Sequence, residues 1–184
     1  MKTTLLIAAV SALFACNATA AVIANDTTPV TQDGQTYTRT FALDGTTYTG
    51  VKVALTAKGD YGFNYSGFNE YFDFMIDGTQ YAHWSSSNGG PASVVQNVED
   101  YDYTLTGVLS LTDAQWAEIA KDKAVTISWR NTSGVNAYPI DGGADFVGFS
   151  LSGIAAATDV PEPASLALLG LGIAGLGMAR RRKA

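Results

Sequence analysis

The segment from Tyr71 to Trp84 reads YFDFMIDGTQYAHW, and its pattern predicts a β-hairpin. Every second residue of its first half is apolar, which is typical of a strand with one buried face: Phe72, Phe74 and Ile76. Asp77-Gly78 has the composition of a two-residue turn, and Thr79 to Trp84 supplies the returning strand. We therefore expect antiparallel β-sheet around this segment.

Similar alternation of polar with aromatic or branched residues extends through most of the chain. Thr36 to Leu43 and Thr47 to Ala57 flank Asp44-Gly45, another turn signal, so these two strands are predicted to pair with each other. Three more strands are predicted from residues that suit a half-buried pleated surface: Tyr101 to Leu111, Ala124 to Arg130, and Asp145 to Ile154.

Only one short helix is predicted, from about Asp113 to Lys121. It begins with Thr112-Asp113-Ala114-Gln115, which has capping-box form, and it carries Trp116 and Ile119 on one face. Seven or more short strands with a single helix indicate an all-β protein with a single antiparallel β-sandwich, for which a jelly roll is one arrangement. The Thr-rich segment from Val22 to Gln35 is expected to be an exposed lead-in strand or arm.

The N-terminus has the features of an export signal. A basic start and an apolar core precede Ala18-Thr19-Ala20, an A-x-A cleavage site, so the mature chain is predicted to begin at Ala21. The Sec export machinery and signal peptidase are the partners that such a leader implies. Cys16, the only cysteine, lies inside the predicted leader, which leaves the mature protein without a disulfide. Lipidation of Cys16 is the alternative use of this segment.

The C-terminus combines three elements in a fixed order. Pro161-Glu162-Pro163 predicts an extended, accessible peptide, because each proline biases its preceding residue away from helix. An uncharged run from Ala164 to Ala179 follows, barely long enough to cross a bilayer as a helix. A basic cluster then ends the chain, and its charge predicts a cytoplasmic end with the body across the membrane: Arg180, Arg181, Arg182 and Lys183.

This tripartite tail resembles the PEP-CTERM sorting signal of Gram-negative bacteria. The resemblance implies recognition by an exosortase, a membrane-embedded cysteine transpeptidase that removes the tail, usually in strains that make an exopolysaccharide. The leader and the tail together divide the chain into a signal peptide (1–20), a β-sandwich domain (21–159) and a sorting and anchor segment (160–184). The protein is then expected to be held briefly in the membrane, with its body on the periplasmic side, before it reaches the cell surface or extracellular matrix.

The charge of the body excludes one large class of partner. The whole chain carries a net charge of −6, but residues 21–160 contain six basic and sixteen acidic residues, a net charge of −10. Nucleic acids are bound through clustered Lys and Arg, so no nucleic-acid partner is expected. Neutral glycans and cations are the compatible ligands.

Acidic residues beside glycines suggest one cofactor, calcium, because this ion accepts oxygen ligands from irregular loops. The candidate ligands are Asp60, Glu70, Asp73, Asp141 and Asp145. Asp beside Gly is also the usual composition of a turn, and that alternative stays open. His83 stands alone as the only histidine, so a zinc site is not expected.

Aromatic residues in Gly- and Asn-rich segments suggest a surface on which sugar rings stack. The candidates are Tyr65, Tyr71, Trp84 and Tyr138. Burial of the same residues in the core is the alternative. Three functions remain open for the β domain: a non-enzymatic structural or adhesive role in an exopolysaccharide or biofilm matrix, a lectin-like carbohydrate-binding module assisted by calcium, and a polysaccharide hydrolase.

Overall fold

The computed structural model describes residues 20–62, 69–87, 90–98, 102–137 and 143–156. Within these ranges the chain forms nine β-strands, one α-helix (α1) and one 3₁₀ turn. The elements in chain order are β1 (Ala20–Pro29), β2 (Thr36–Ala42), β3 (Tyr48–Gly59), β4 (Phe72–Ile76), β5 (Thr79–Trp84), β6 (Ser93–Val98), β7 (Asp102–Ser110), α1 (Asp113–Ile119), the 3₁₀ turn (Ala120–Asp122), β8 (Ala124–Asn131) and β9 (Phe146–Ala155).

The strands form two antiparallel sheets. Sheet 1 has the order β1-β9-β3-β7-β6 and sheet 2 has the order β2-β8-β4-β5. The pairing is nested: β1 pairs with β9, β2 with β8, β3 with β7, and β4 with β5. A long hairpin rolled into two sheets has this pairing, which is the topology of a jelly roll with β6 added at one edge. The predicted antiparallel β-sandwich is therefore confirmed, in its jelly-roll form.

The predicted hairpin between β2 and β3 is wrong. Strand β2 pairs with β8 in sheet 2, whereas β3 lies between β7 and β9 in sheet 1. The turn signal is real, since Asp44 Oδ1 accepts the Thr46 N–H at 2.8 Å and Gly45 has φ +84°. It turns the chain from one sheet to the other. The alternating pattern marks the buried face of each strand, and both strands bury that face in the same core.

The predicted hairpin between β4 and β5 is confirmed. Asp77 and Gly78 have φ values of 47° and 76°, as a type I′ turn requires. The alternating residues Phe72, Phe74 and Ile76 are at most 1% exposed, so they face the core. A bulge between Phe74 and Met75 shifts the pairing of the two strands by one residue.

Aromatic side chains from both sheets fill the core. The ring of Phe149 on β9 lies 6.0 Å from that of Phe74 on β4 and 5.8 Å from that of Phe41 on β2. Trp84 is 2% exposed and its ring lies 6.1 Å from that of Phe72. Contacts of this kind bury large apolar areas, and aliphatic residues such as Val53, Leu55 and Ile127 complete the core between the two sheets.

Helix α1 confirms the predicted capping box. Thr112 Oγ1 accepts the Gln115 N–H at 3.2 Å, and Gln115 Oε1 accepts the Thr112 N–H at 2.9 Å. Trp116 and Ile119 are buried, as their spacing predicts, and the α-helix ends at Ile119, two residues before the predicted end. The helix and its 3₁₀ turn link β7 of sheet 1 to β8 of sheet 2.

At the two edges of sheet 1, one strand agrees with the predicted alternatives and the other was not predicted. The expected lead-in segment contains β1, a full edge strand whose first residue, Ala20, pairs with Ile154. Because Ala20 also precedes the predicted cleavage point, the scissile bond between Ala20 and Ala21 lies within this strand. At the other edge, β6 was not predicted, since Ser93 to Asn97 are all exposed and show no alternation of burial.

Candidate functional site

The outer face of sheet 2 carries a polar cluster across three adjacent strands. Phe72 and Phe74 point into the core, so Asp73 between them points outward. His83 on β5 and Arg130 on β8 lie directly opposite Asp73 on either side. Tyr71, two residues before Asp73, adds an aromatic ring. We call these four residues the Asp73 cluster.

Asp73 is the buried centre of this cluster. Its side chain is 2% exposed, while those of His83 and Arg130 are 47% and 57% exposed. Arg130 Nε donates to Asp73 Oδ2 at 2.8 Å, and His83 Nδ1 lies 2.6 Å from Asp73 Oδ1. Because a carboxylate can only accept, Nδ1 carries the hydrogen and Nε2 of a neutral His83 is an acceptor.

The aromatic part of the cluster is a stacked pair. The rings of Tyr71 and His83 are 4.1 Å apart and only 11° from parallel. Asp73 and Tyr71 together fix the plane of the His83 imidazole, while nearly half of the His83 side chain stays exposed. Thr36, exposed on β2, lies opposite Arg130 and extends the polar surface. A flat ring with hydroxyl and guanidinium groups beside it can stack on a sugar and donate hydrogen bonds to its hydroxyl groups.

Of the predicted stacking residues, the structure places only Tyr71 in this cluster. Trp84 is a core residue, because its neighbour His83 takes the outward position on β5 and Trp84 therefore points inward. Tyr65 and Tyr138 lie outside the described residues. The sequence reasoning did not identify His83 and Arg130 as partners of Asp73.

A second charged group lies on sheet 1 and consists of Lys58, Asp60, Asp102 and Asp145, the Lys58 cluster. Lys58 Nζ lies 2.9 Å from Asp102 Oδ2 and 3.4 Å from Asp145 Oδ1, and it donates to the Gly143 carbonyl at 3.0 Å. Counted over the whole residue, backbone included, Lys58, Asp102 and Asp145 are each less than 9% exposed. Charges this deeply buried persist because they are paired.

Burial shapes the titration of this second group. It raises the pKa of Asp145, an effect that the Lys58 charge opposes and the Asp102 charge reinforces. Burial also raises the pKa of Asp60, although Asn136 Nδ2 donates to its Oδ2 at 3.0 Å. The other oxygen, Asp60 Oδ1, is buried without a hydrogen-bond partner among the described residues.

The four predicted calcium ligands that lie in the described part of the chain do not come together in one site. Asp60 and Asp145 belong to the Lys58 cluster on sheet 1, whereas Asp73 lies on the outer face of sheet 2, across the core. Asp141 lies outside the described residues, and Glu70 precedes the Asp73 cluster in sequence. In the described part of the chain, no group of three or more His, Cys, Asp and Glu residues is placed to hold a metal ion. The cation beside Asp102 and Asp145 is the ammonium of Lys58.

An open cleft of about 500 Å³ lies where the β4–β5 turn meets helix α1. Its carboxylates already have local structural roles. Asp77 Oδ1 accepts the Thr126 N–H at 2.7 Å, and Asp122 Oδ1 accepts the Ala124 N–H at 3.2 Å. Glu118 forms an exposed ion pair with Lys121 at 3.3 Å.

Apart from Ala20, both predicted targeting segments lie outside the described residues. They include the leader with Ala18, the Pro161-Glu162-Pro163 step, the apolar run and the basic cluster from Arg180 to Lys183. Within the ranges that the structure describes, no helix is long and apolar enough to span a membrane. The predicted tail helix lies outside those ranges, so the structure does not test it.

Comparison with known proteins identifies the tail. No curated protein and no solved structure matches the chain at a significant level. Residues 159–183 match the PEP-CTERM protein-sorting motif, a range that contains Pro161-Glu162-Pro163, the apolar run and the basic cluster. This match supports exosortase-dependent sorting, with export and transient membrane anchoring before processing. The chain is thus a protein with a PEP-CTERM protein-sorting motif at its C-terminus.

Proposed function

We propose that this chain is a non-enzymatic protein of the cell surface or extracellular matrix, with a structural or adhesive role in an exopolysaccharide or biofilm. The observation that carries the proposal is the sorting motif at residues 159–183, joined to a jelly roll. Signal peptidase and an exosortase would process its two ends. The net charge of −10 in the body favours a matrix of neutral glycan over an anionic one.

The placement of the polar side chains supports a non-enzymatic role. A glycosidase needs one carboxylic acid and one carboxylate facing each other across a substrate. In the cleft beside α1, Asp77 and Asp122 instead accept backbone hydrogen bonds, and Glu118 pairs with Lys121. The Asp73–His83 pair has the geometry of a base and its orienting group, but in the part of the chain that the structure describes His83 contacts Asp73 and Tyr71, neither of which is a serine or cysteine nucleophile.

Carbohydrate binding by the Asp73 cluster is the second candidate, and the stacked Tyr71–His83 pair favours it. An imidazole held at 4.1 Å from a tyrosine ring is a preformed flat surface, so a sugar would lose little binding energy to ordering it. Adhesion to a polysaccharide could then take place through the outer face of sheet 2.

The sorting part of the proposal is tested by changing Pro161, Glu162 and Pro163 to alanine together. We expect the variant to accumulate uncut in the membrane fraction, because the extended step that the processing enzyme recognises is lost. Ser165→Ala, which leaves that step intact, is the matched control. Equal processing of both variants in a fractionation blot would refute the sorting role.

The binding part is tested by sedimenting the purified chain with insoluble neutral polysaccharide. His83→Ala should weaken retention about tenfold, which corresponds to about 1.4 kcal/mol of lost stacking and hydrogen bonding. Thr40→Ala is the control, since Thr40 is exposed at a distant position of β2. If His83→Ala is retained as well as the wild type, this face is not the binding surface. If the wild-type chain itself is not retained, carbohydrate binding is refuted and the structural role remains.

A further inference from the structure

Lys58 has an acidic side chain beside it from each of its two neighbouring strands. In the sheet register it lies opposite Thr104 on β7 and opposite Phe146 on β9. Asp102 is two residues from Thr104, so it is a diagonal neighbour on the same face of the sheet. Asp145 directly precedes Phe146. One amine is thereby held between two carboxyl groups.

These groups are close to one another and shielded from water. The side chains of Lys58, Asp102 and Asp145 are 11%, 9% and 5% exposed. Lys58 Nζ is 2.9 Å from Asp102 Oδ2, closer than the 3.4 Å that separates it from Asp145 Oδ1. When an amine and an acid are held in a productive geometry, their effective concentration reaches roughly 10⁵ M or more.

We propose that Lys58 and Asp102 condense into an intramolecular isopeptide bond, which covalently joins β3 to β7. The Lys58 Nζ–Asp102 Cγ bond forms, one Cγ–Oδ bond breaks, and water leaves. Of the three ammonium hydrogens, one stays on the amide nitrogen and two leave with the water, and the opposite charges of the two side chains cancel. The reaction needs no oxidant, reductant or cofactor.

Asp145 is placed to carry the proton in this reaction. The amine must lose a proton before it attacks, and the departing oxygen must gain one. Asp145 Oδ1 lies 3.4 Å from the amine nitrogen, and burial raises the pKa of Asp145, so its carboxyl group can hold a proton in transit. Lys58 also donates to the Gly143 carbonyl, which orients its Nζ between the two acids.

Two features of the chain make this bond advantageous. The product replaces a buried ion pair, which is costly to desolvate, by a neutral amide. Cys16 is the only cysteine and lies in the predicted leader, so a mature domain has no disulfide to restrict its unfolded state. A bond between residues 58 and 102 would close a long loop and restrict the unfolded chain as a disulfide does.

The test is peptide mass spectrometry on the full chain, expressed with its leader and purified from the producing cells. After denaturation and trypsin digestion, we expect one continuous peptide, residues 53–121, that contains both Lys58 and Asp102 and lacks the mass of one water molecule. Trypsin should not cut after Lys58, because its ε-amine is an amide. Lys52→Arg, at an exposed lysine on the same strand, is the matched control and should keep the bond.

Three variants separate the roles of the residues. Lys58→Arg and Asp102→Ala should abolish the dehydrated peptide, and Asp145→Asn should slow its formation about 100-fold, as loss of a proton carrier does. A wild-type Lys58 whose amine is fully acetylated by reagent after denaturation would overturn the proposal, as would a bond from Lys58 to Asp145. The wild-type spectrum decides the question even if a variant fails to fold.

Discussion

Gly107 on β7 has no room for a side chain. A methyl group built there would lie 2.5 Å from Cη2 and 2.9 Å from Cζ2 of Trp84. Carbon atoms attract one another best at about 3.5–4.0 Å, so Gly107→Ala requires a displacement of about 1 Å. Trp84 is 2% exposed and packs against Phe72 in the core, so its ring has little space to move.

The size of the effect follows from two opposing contributions. An alanine in a strand is favoured over glycine by roughly 0.5–1 kcal/mol, because glycine loses more backbone entropy on folding. Overpacking a core costs about 1–3 kcal/mol, and a rigid indole ring places Gly107 near the upper end of that range. We expect Gly107→Ala to lower the free energy of unfolding by about 2 kcal/mol, or the Tm by roughly 8 °C.

Gly148→Ala is the matched control for this prediction. Gly148 lies on β9 of the same sheet, and the nearest atom to an added methyl group there is Thr27 Oγ1, at 3.2 Å. A hydroxyl group at the end of a side chain can move, so this variant should be neutral or slightly stabilised. Urea denaturation followed by tryptophan fluorescence measures both variants. If Gly107→Ala were as stable as Gly148→Ala, the tight packing of Trp84 against β7 would be refuted.

Three further predictions concern caps and hydroxyl groups. Thr112→Ala should cost about 1 kcal/mol in urea denaturation, because the helix loses its N-cap. Tyr61→Phe should cost about 1–3 kcal/mol in the same assay, since it removes the hydroxyl group that donates to buried Asn131 Oδ1 at 2.9 Å. Burial and the hydrogen bond to Asp26 raise the pKa of Tyr37 to about 12. The stability that the protonated Tyr37 hydroxyl group contributes is therefore complete below pH 10 and is lost as the pH rises through 12. Tyr37→Phe should reduce this alkaline loss of stability, measured by circular dichroism.

Most strand positions were predictable from the sequence, but of the two predicted strand pairings only that of β4 with β5 is correct. Period-two alternation reports which side chains are buried, and it located β2, β3 and β4 within a few residues. The same alternation is compatible with any neighbour that shares the core. The five-residue connection around Asp44-Gly45 was therefore interpreted as a hairpin, although it leads from sheet 2 to sheet 1.

The Asp73 cluster could not be predicted because it depends on a bulge. A regular two-residue turn at Asp77-Gly78 would place Asp73 opposite Ala82. The bulge next to Phe74 shifts the register by one residue, so that His83 takes that position. A bulge leaves no clear signal in a single sequence, and Arg130 comes from a strand that is distant along the chain. By contrast, Tyr71 could be proposed from composition alone.

Strand β9, to which the C-terminal sorting motif is joined, lies between β1 and β3 and pairs with both. While the motif holds the protein in the membrane, any drag on the body is transmitted through this strand. The force is shared between two hydrogen-bonded ladders, whereas an edge strand would rely on one. A domain tethered in this way should resist mechanical unfolding until the exosortase releases it, because its last strand is hydrogen-bonded on both sides.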